Sequence, residues 1–188
     1  MYVSTKSYDT RNGFSIAYRQ WKADSHCRFI HGYALGFDFE FESETLDVRN
    51  WVCDFGGFKT LKTFLEEYFD HTLLVAQDDP ELEFFKEIDR RGLAQVREVT
   101  ATGCEGIADF LYEYMNEIWL PENGYANSGV HCRKVHVHET EANSGWVEFT
   151  KQGWEEHLVK MNVSDAVSNA GSDVVSNGDD MISEGDPL

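Results

Sequence analysis

A chain of 188 residues that is 41% hydrophobic and 14% aromatic carries enough apolar material for one real core, so a single main domain is expected. Its 34 acids against 16 bases leave a formal charge of −18, which argues against nucleic acid as a partner because phosphate recognition needs a basic surface. No run is long and apolar enough to span a membrane, the opening residues lack the apolar stretch of a signal peptide, and the four cysteines form no C-x-x-C pair; a cytoplasmic protein with reduced thiols and no membrane partner is expected.

The first strand is expected over residues 12–20, with Phe14, Ile16 and Tyr18 on one face. A loop follows that holds His26, Cys27 and Arg28, and then a second strand over 33–43 in which Tyr33, Leu35, Phe37, Phe39 and Phe41 alternate with smaller or polar residues. His31 shares that inward parity. Polar tips from two strands, with the Cys27 thiol four residues before His31, therefore converge at one end of a sheet. Gly56-Gly57 serves as a strand-to-helix turn into a helix marked by Phe58, Leu61, Phe64, Leu65 and Tyr68, which ends near Asp70-His71. Asp79-Pro80 reads as an N-cap with proline at the first helical position, opening a short helix that closes near Gly92. Residues 95–100 form a third strand. The second long helix carries Ile107, Phe110, Leu111, Tyr114 and Ile118 on one face and is stopped by Pro121. A fourth strand runs from Arg133 to Thr140, and Trp146 to Phe149 adds an edge.

On that fourth strand Val135, Val137 and Glu139 share a face, so a carboxylate lies on the side the valines mark as buried, where it needs donors. Those donors would come from a bound ligand with paired N–H groups; the alternative is a strand-end glutamate facing solvent or paired with a local arginine. His136 and His138 occupy the opposite face, with His131 nearby, and a solvated strand face or an incidental surface chelate is the ordinary reading of them. A thiol acts as a base only when a positive charge or donor lowers its pKa, and Arg28 or a histidine is available to do so for Cys27. His71, oriented by Asp70, suits proton relay, although a helix C-terminal cation reads the same way. Glu105 near a helix start is equally an ordinary partner of the helix dipole.

Cys27, His31-Gly32, Asp54-Phe55-Gly56, Asp70-His71, Glu105 and Glu139-Thr140, in this order and at these intervals, resemble the 6-pyruvoyl-tetrahydropterin synthase and 6-carboxy-tetrahydropterin synthase family of the tunnelling fold. The resemblance implies an α+β fold, a four-stranded antiparallel sheet with two main helices on one face, whose subunits join into an oligomeric barrel, a homo-trimer or hexamer with the active site between subunits. It implies Cys27, Asp70 and His71 as acid/base residues, Glu139 and Glu105 as pterin-binding residues, and a zinc ion. Tyr18 and Tyr33 stand where the family has two of its three zinc-ligand histidines, and His31 alone keeps a ligand position. With a phenol pKa near 10 on both tyrosines, the expectation is that zinc is absent or weak and that the hydroxyls hydrogen-bond substrate or His31 instead. The competing arrangement keeps zinc through His31 with His26 or Cys27.

The implied function is that of 6-carboxy-tetrahydropterin synthase, conversion of 7,8-dihydroneopterin triphosphate on the way to queuosine and other 7-deazaguanines, with Arg19, Lys22 and Arg28 as candidates for the triphosphate. Two alternatives stand beside it: a diverged, non-catalytic, metal-free protein that binds a pterin or purine, and a lyase or isomerase acting on a dihydropterin without phosphate elimination. The domain is expected to span 1–160. Residues 161–188 hold six acids and no base in Ser/Asn/Asp/Gly-rich sequence, so an acidic flexible tail is expected there, solubilising or partner-binding.

Overall fold

The computed structural model describes residues 1–11 and 13–160, which fall into two units, Met1–Glu148 and the part from Phe149 onward. The expectation of a flexible acidic tail lies outside the described residues. In the second unit residues 151–160 are helical, and the ring of His157 stacks on those of Phe149 and Trp154.

The first unit is built around β3, His31–Ser43, in which Leu35, Phe37, Phe39 and Phe41 are fully buried, as the alternation predicts. β1, Tyr2–Tyr8, and β2, Phe14–Tyr18, pair antiparallel with successive stretches of β3, from Phe37 to Ser43 and from His31 to Leu35. On the other edge β3 pairs with β6, His131–His138, and β6 with β7, Ser144–Glu148. The register of β3 and β6 shifts between Glu40 and Phe41, which leaves Arg133 without a Cα partner; its guanidinium lies among Glu40, Glu42 and Glu148.

Between α1, Lys59–Phe69, and α2, Leu82–Arg90, the chain adds β4, Thr72–Ala76, and after α2 it adds β5, Val96–Val99. β4 runs parallel to β2 and to β5. The four-stranded antiparallel sheet expected from sequence is therefore corrected to a seven-stranded mixed one. Both missed strands lack the alternating signal: β1 is largely exposed and polar, and β4 is buried at every position, the apolar run of a parallel strand covered on both faces.

Helices α1 and α3, Cys104–Glu113, bury Leu61, Leu65 and Phe69 and Ile107, Ala108, Leu111 and Tyr112. Phe37 meets Phe69 at 5.1 Å between ring centres, and Phe64 of α1 stacks on Tyr114 at 3.7 Å. The second helix closes at Pro121 as expected: a π-helical turn, Tyr114–Trp119, continues α3 into a final turn α4, Leu120–Glu122, which ends one residue after the proline. Asp79 precedes its helix by more than a cap: Asp79 Oδ1 accepts from the Glu81 N–H at 2.9 Å, and α2 begins at Leu82. The last long strand ends at His138, so Glu139 lies just beyond it.

Candidate active site

The end of β2 and the start of β3 are antiparallel neighbours, and their register sets Tyr18 opposite His31. Together with Tyr33 these rings form a triangle, with centroid separations of 5.2, 5.8 and 5.4 Å. His31 Nδ1 lies 2.7 Å from the Phe29 carbonyl oxygen. A carbonyl only accepts, so this nitrogen carries the proton and Nε2 is the lone-pair nitrogen of the neutral ring. Cys27 is delivered by a short 3₁₀ turn, His26–Arg28, whose Ser25 hydroxyl oxygen accepts from the Cys27 N–H at 3.3 Å. The Gln20 N–H donates to the Cys27 carbonyl at 2.9 Å, which ties the turn to the end of β2.

The opposing wall is the start of α3 and the β6–β7 hairpin. Thr102 Oγ1 donates to the Arg19 carbonyl at 2.8 Å, and Gly103, at φ 95°, turns the chain into α3 in a conformation that favours glycine. A Cβ on Gly145 would sit 2.9 Å from Cys104 Cβ and 3.0 Å from Glu105 Cδ, so only glycine lets hairpin and helix approach this closely. The resulting cleft, about 420 Å³, is lined on its two sides by Tyr18, Cys27, His31 and Tyr33 and by Cys104, Glu105 and Glu139. Thr102, Gly103, Asn143 and Ser144 also line it, as do Gln20, Ala23 and Ser25; sequence reasoning missed these, as it did Cys104, whose only signal was its place beside Glu105.

The Tyr18 hydroxyl, on a side chain only 2% exposed, donates to Glu139 Oε1. One acceptor site of the Glu139 carboxylate is thus filled from within the chain, and the Tyr18 phenol has a carboxylate as its partner. Burial, the hydrogen bond to Glu139 and the charge of Glu139 all push the Tyr18 phenol far above its ordinary pKa. Burial, followed by the charges of Glu139 and Glu105, pushes the Cys104 thiol up to about 12. Tyr33 is raised as well, by burial first and then by Glu139 and Cys27. Zinc binds neutral imidazoles, thiolates or carboxylates, so among the lining residues His31, Cys27, Glu105 and Glu139 are of ligand type, whereas Tyr18 and Tyr33 are phenols that must lose a proton before they ligate.

The other expected site residues lie elsewhere. Arg19 turns away from the cleft and grips Asp79 with two bonds, Nε to Oδ2 at 2.8 Å and Nη2 to Oδ1 at 2.5 Å; Lys22 pairs with Asp78 at 2.5 Å. Arg28 is exposed on the 3₁₀ turn and does not line the cleft. Asp70 and His71 sit at the α1–β4 junction, also off the cleft. Asp70 Oδ1 accepts from the Ser15 N–H at 3.0 Å and lies 2.9 Å from His71 Nδ1. His71 is held at φ 58°, its N–H bonded to the Ser15 carbonyl at 2.6 Å and its side chain 80% exposed. Among the described residues no helix is long and apolar enough to cross a membrane.

Residues 8–151 match the family described as 6-pyruvoyl tetrahydropterin synthase, and the chain belongs to that family. Over 70 residues it is 33% identical to a 6-carboxy-5,6,7,8-tetrahydropterin synthase of Rickettsia conorii, a match that covers 37% of this chain and 51% of the relative. The corresponding protein of Rickettsia bellii is 30% identical over 70 residues, with the same coverage. The chain thus spans about half the length of the curated relatives it matches. In fold it is similar to an uncharacterized protein from Wolinella succinogenes, with a TM-score of 0.65 at 21% identity over 79% of this chain and 98% of the other. It is also similar to the 6-pyruvoyl tetrahydropterin synthase of Caenorhabditis elegans, with a TM-score of 0.51 at 19% identity over 80% and 98%.

Proposed function

We propose that this chain is a 6-carboxy-tetrahydropterin synthase-like lyase that takes 7,8-dihydroneopterin triphosphate and releases triphosphate and a side-chain fragment, in the supply of 7-deazaguanines such as queuosine. The observation that carries the reading is the convergence of Cys27, His31, Glu105 and Glu139 on one cleft in a chain of this family. Glu139 anchors the pterin: Tyr18 occupies Oε1, and the remaining acceptor sites of the carboxylate face the ring N–H and amino group. Cys27 exchanges a proton with the side chain of the substrate. The lone pair of His31 Nε2 accepts a hydrogen bond within the same space.

His71 and Asp70 complete the acid/base set from a second copy of the chain. What supports this is an imidazole in left-handed backbone, bonded to a carboxylate, turned to solvent and away from the cleft of its own chain. A homo-trimer or hexamer with shared sites follows from this reading. The cleft works without zinc, and Tyr18 fills with a hydrogen bond the place a ligand histidine would hold. Cations for the triphosphate come from outside the cleft, or from Arg19 and Lys22 after exchange of their aspartates.

A second reading has an observation of its own. The Tyr18–Glu139 contact turns the anchor partly inward, which suits a non-catalytic protein that binds a pterin or purine without converting it. Incubation of the purified chain with 7,8-dihydroneopterin triphosphate, with products identified by mass spectrometry and pterin binding measured in parallel, separates the two. Product formation supports the lyase, binding without product supports the diverged binder, and neither sinks both.

A further inference from the structure

β3 and β6 carry a second constellation on the sheet face opposite Phe37, Phe39, Val135 and Val137. Asp38 lies directly across from His136 in the β3–β6 register, and His138, two residues further, projects to the same face. One donor atom from each of Asp38, His136 and His138 lies within 4.8 Å of the others. His138 Nε2 and Asp38 Oδ2 are 2.8 Å apart, and the two imidazole rings are 4.0 Å apart. His136 Nε2 is buried and has no hydrogen-bond partner among the described residues, an expensive state for a ring nitrogen. His131, the third histidine of this strand, is not part of the group: it is buried and bonded to Tyr112 at 2.8 Å.

We propose that Asp38, His136 and His138 form a binding site for a first-row divalent transition-metal ion such as zinc, separate from the Cys27–Glu139 cleft. Two imidazoles and one carboxylate are the donor set of such ions, whereas calcium and magnesium ask for oxygen ligands alone. An ion with bonds of about 2.1 Å sets its ligand atoms about 3.4 Å apart, so the observed group needs only small side-chain rotations. Asp38 and His138 have side chains 38% and 29% exposed, which leaves the freedom for that adjustment and a path for the ion. His136 contributes the rigid member, pinned edge-on against Trp146 at 5.3 Å. Three protein ligands leave a coordination position open to water or to an anionic ligand.

The test uses the full chain, purified without a histidine tag, stripped with chelator and titrated with zinc by calorimetry and with cobalt(II) by Trp fluorescence. Uptake at micromolar zinc is expected, with H136A, H138A and D38N each weakening it by about 10-fold or more and H31A leaving it unchanged. Cobalt quenches Trp146, so W146F retains uptake and loses most of the quench. If H136A does not fold, as judged by circular dichroism, the exposed-residue variants D38N and H138Q decide. The proposal is overturned if the wild-type chain takes up no ion at micromolar concentration. Uptake that is lost in H31A but kept in D38N and H138A also overturns it, because the ion then belongs to the cleft.

Discussion

The phenol of Tyr18 and the carboxylate of Glu139, 121 residues apart in the chain, form a direct hydrogen bond at the base of the cleft. The donor is fully committed, since a phenol has one proton, while the acceptor keeps unused lone pairs. Tyr18→Phe therefore leaves a half-buried carboxylate short of one donor and is expected to lower stability by about 1–3 kcal/mol. Thermal melts above pH 6 measure this, and an unchanged midpoint contradicts the bond. Glu139→Gln is expected to weaken pterin binding by roughly 10-fold or more, while Tyr18→Phe preserves it.

In the proposed function the cleft works without zinc because two ligand positions are tyrosines, and on that reading restoring the donors is expected to restore the metal. The double variant Y18H/Y33H, with His31, presents three imidazoles and should bind one more equivalent of zinc than the wild-type chain. Elemental analysis counts the ions, and adding H31A to the double variant should remove the extra one. Equal zinc in the wild-type and double-variant proteins contradicts this account of the site.

Thiol reactivity should sort the four cysteines. Burial raises Cys53 and Cys104 to about 12, and Cys132 is raised as well, chiefly by burial, whereas Cys27 is half-exposed on its turn. Iodoacetamide at pH 8 is expected to label Cys27 first in the native protein, with peptide mass mapping as the readout. A bound pterin should slow that labelling.

Acid should weaken the attachment of the end of β2 to the segment before α2. Burial tends to raise the Asp79 carboxyl, but the Arg19 hydrogen bonds and charge and the Glu81 N–H outweigh it and hold the pKa below its ordinary value. A group depressed on folding contributes stability that is complete above its unfolded pKa, near 4, and is lost as pH falls through the lower folded value. Stability should therefore fall with acidification below about pH 4. Asp79→Asn should cost about 3 kcal/mol at pH 7 and flatten that part of the pH profile.

If His71 serves a neighbouring copy, chains defective in different members of one site should complement each other. Mixtures of C27A and H71A subunits, unfolded and reassembled together, are expected to regain activity that neither variant has alone. Intact wild-type sites form in only a fraction of the mixed oligomers. No recovery, with mixed oligomers confirmed by native mass spectrometry, contradicts the shared-site reading.

Much of the sheet was legible because β3 alternates strictly, and parity alone sent Tyr33 inward with Leu35 and Phe37, and His31 with them. The same parity sent Glu139 toward the valine face, where Tyr18 meets it. Two strands were not legible: β1 has polar residues on its exposed face and no apolar rhythm, and β4 is a five-residue apolar run that periodicity cannot tell from a helix segment. Nor was the fate of Arg19, because its partner Asp79 is 60 residues away and only the parallel pairing of β2 with β4 brings it near. The cluster on the outer face of β6 looked solvated because histidine alternation is common there. Asp38 enters only through the β3–β6 register, which no local pattern encodes.

The close seating of Gly145 on Cys104 and Glu105 also fixes how the cleft tolerates change. Because main chain rests against side-chain stems there, hairpin and helix shift together, and the spacing of Glu105 and Glu139 is a property of the scaffold instead of either glutamate. Substitutions along this wall can alter charge or hydrogen bonding without altering reach. Variation in what the cleft accepts must then arise in the facing segment around Cys27, where a short 3₁₀ turn without buried residues leaves length and composition free to drift.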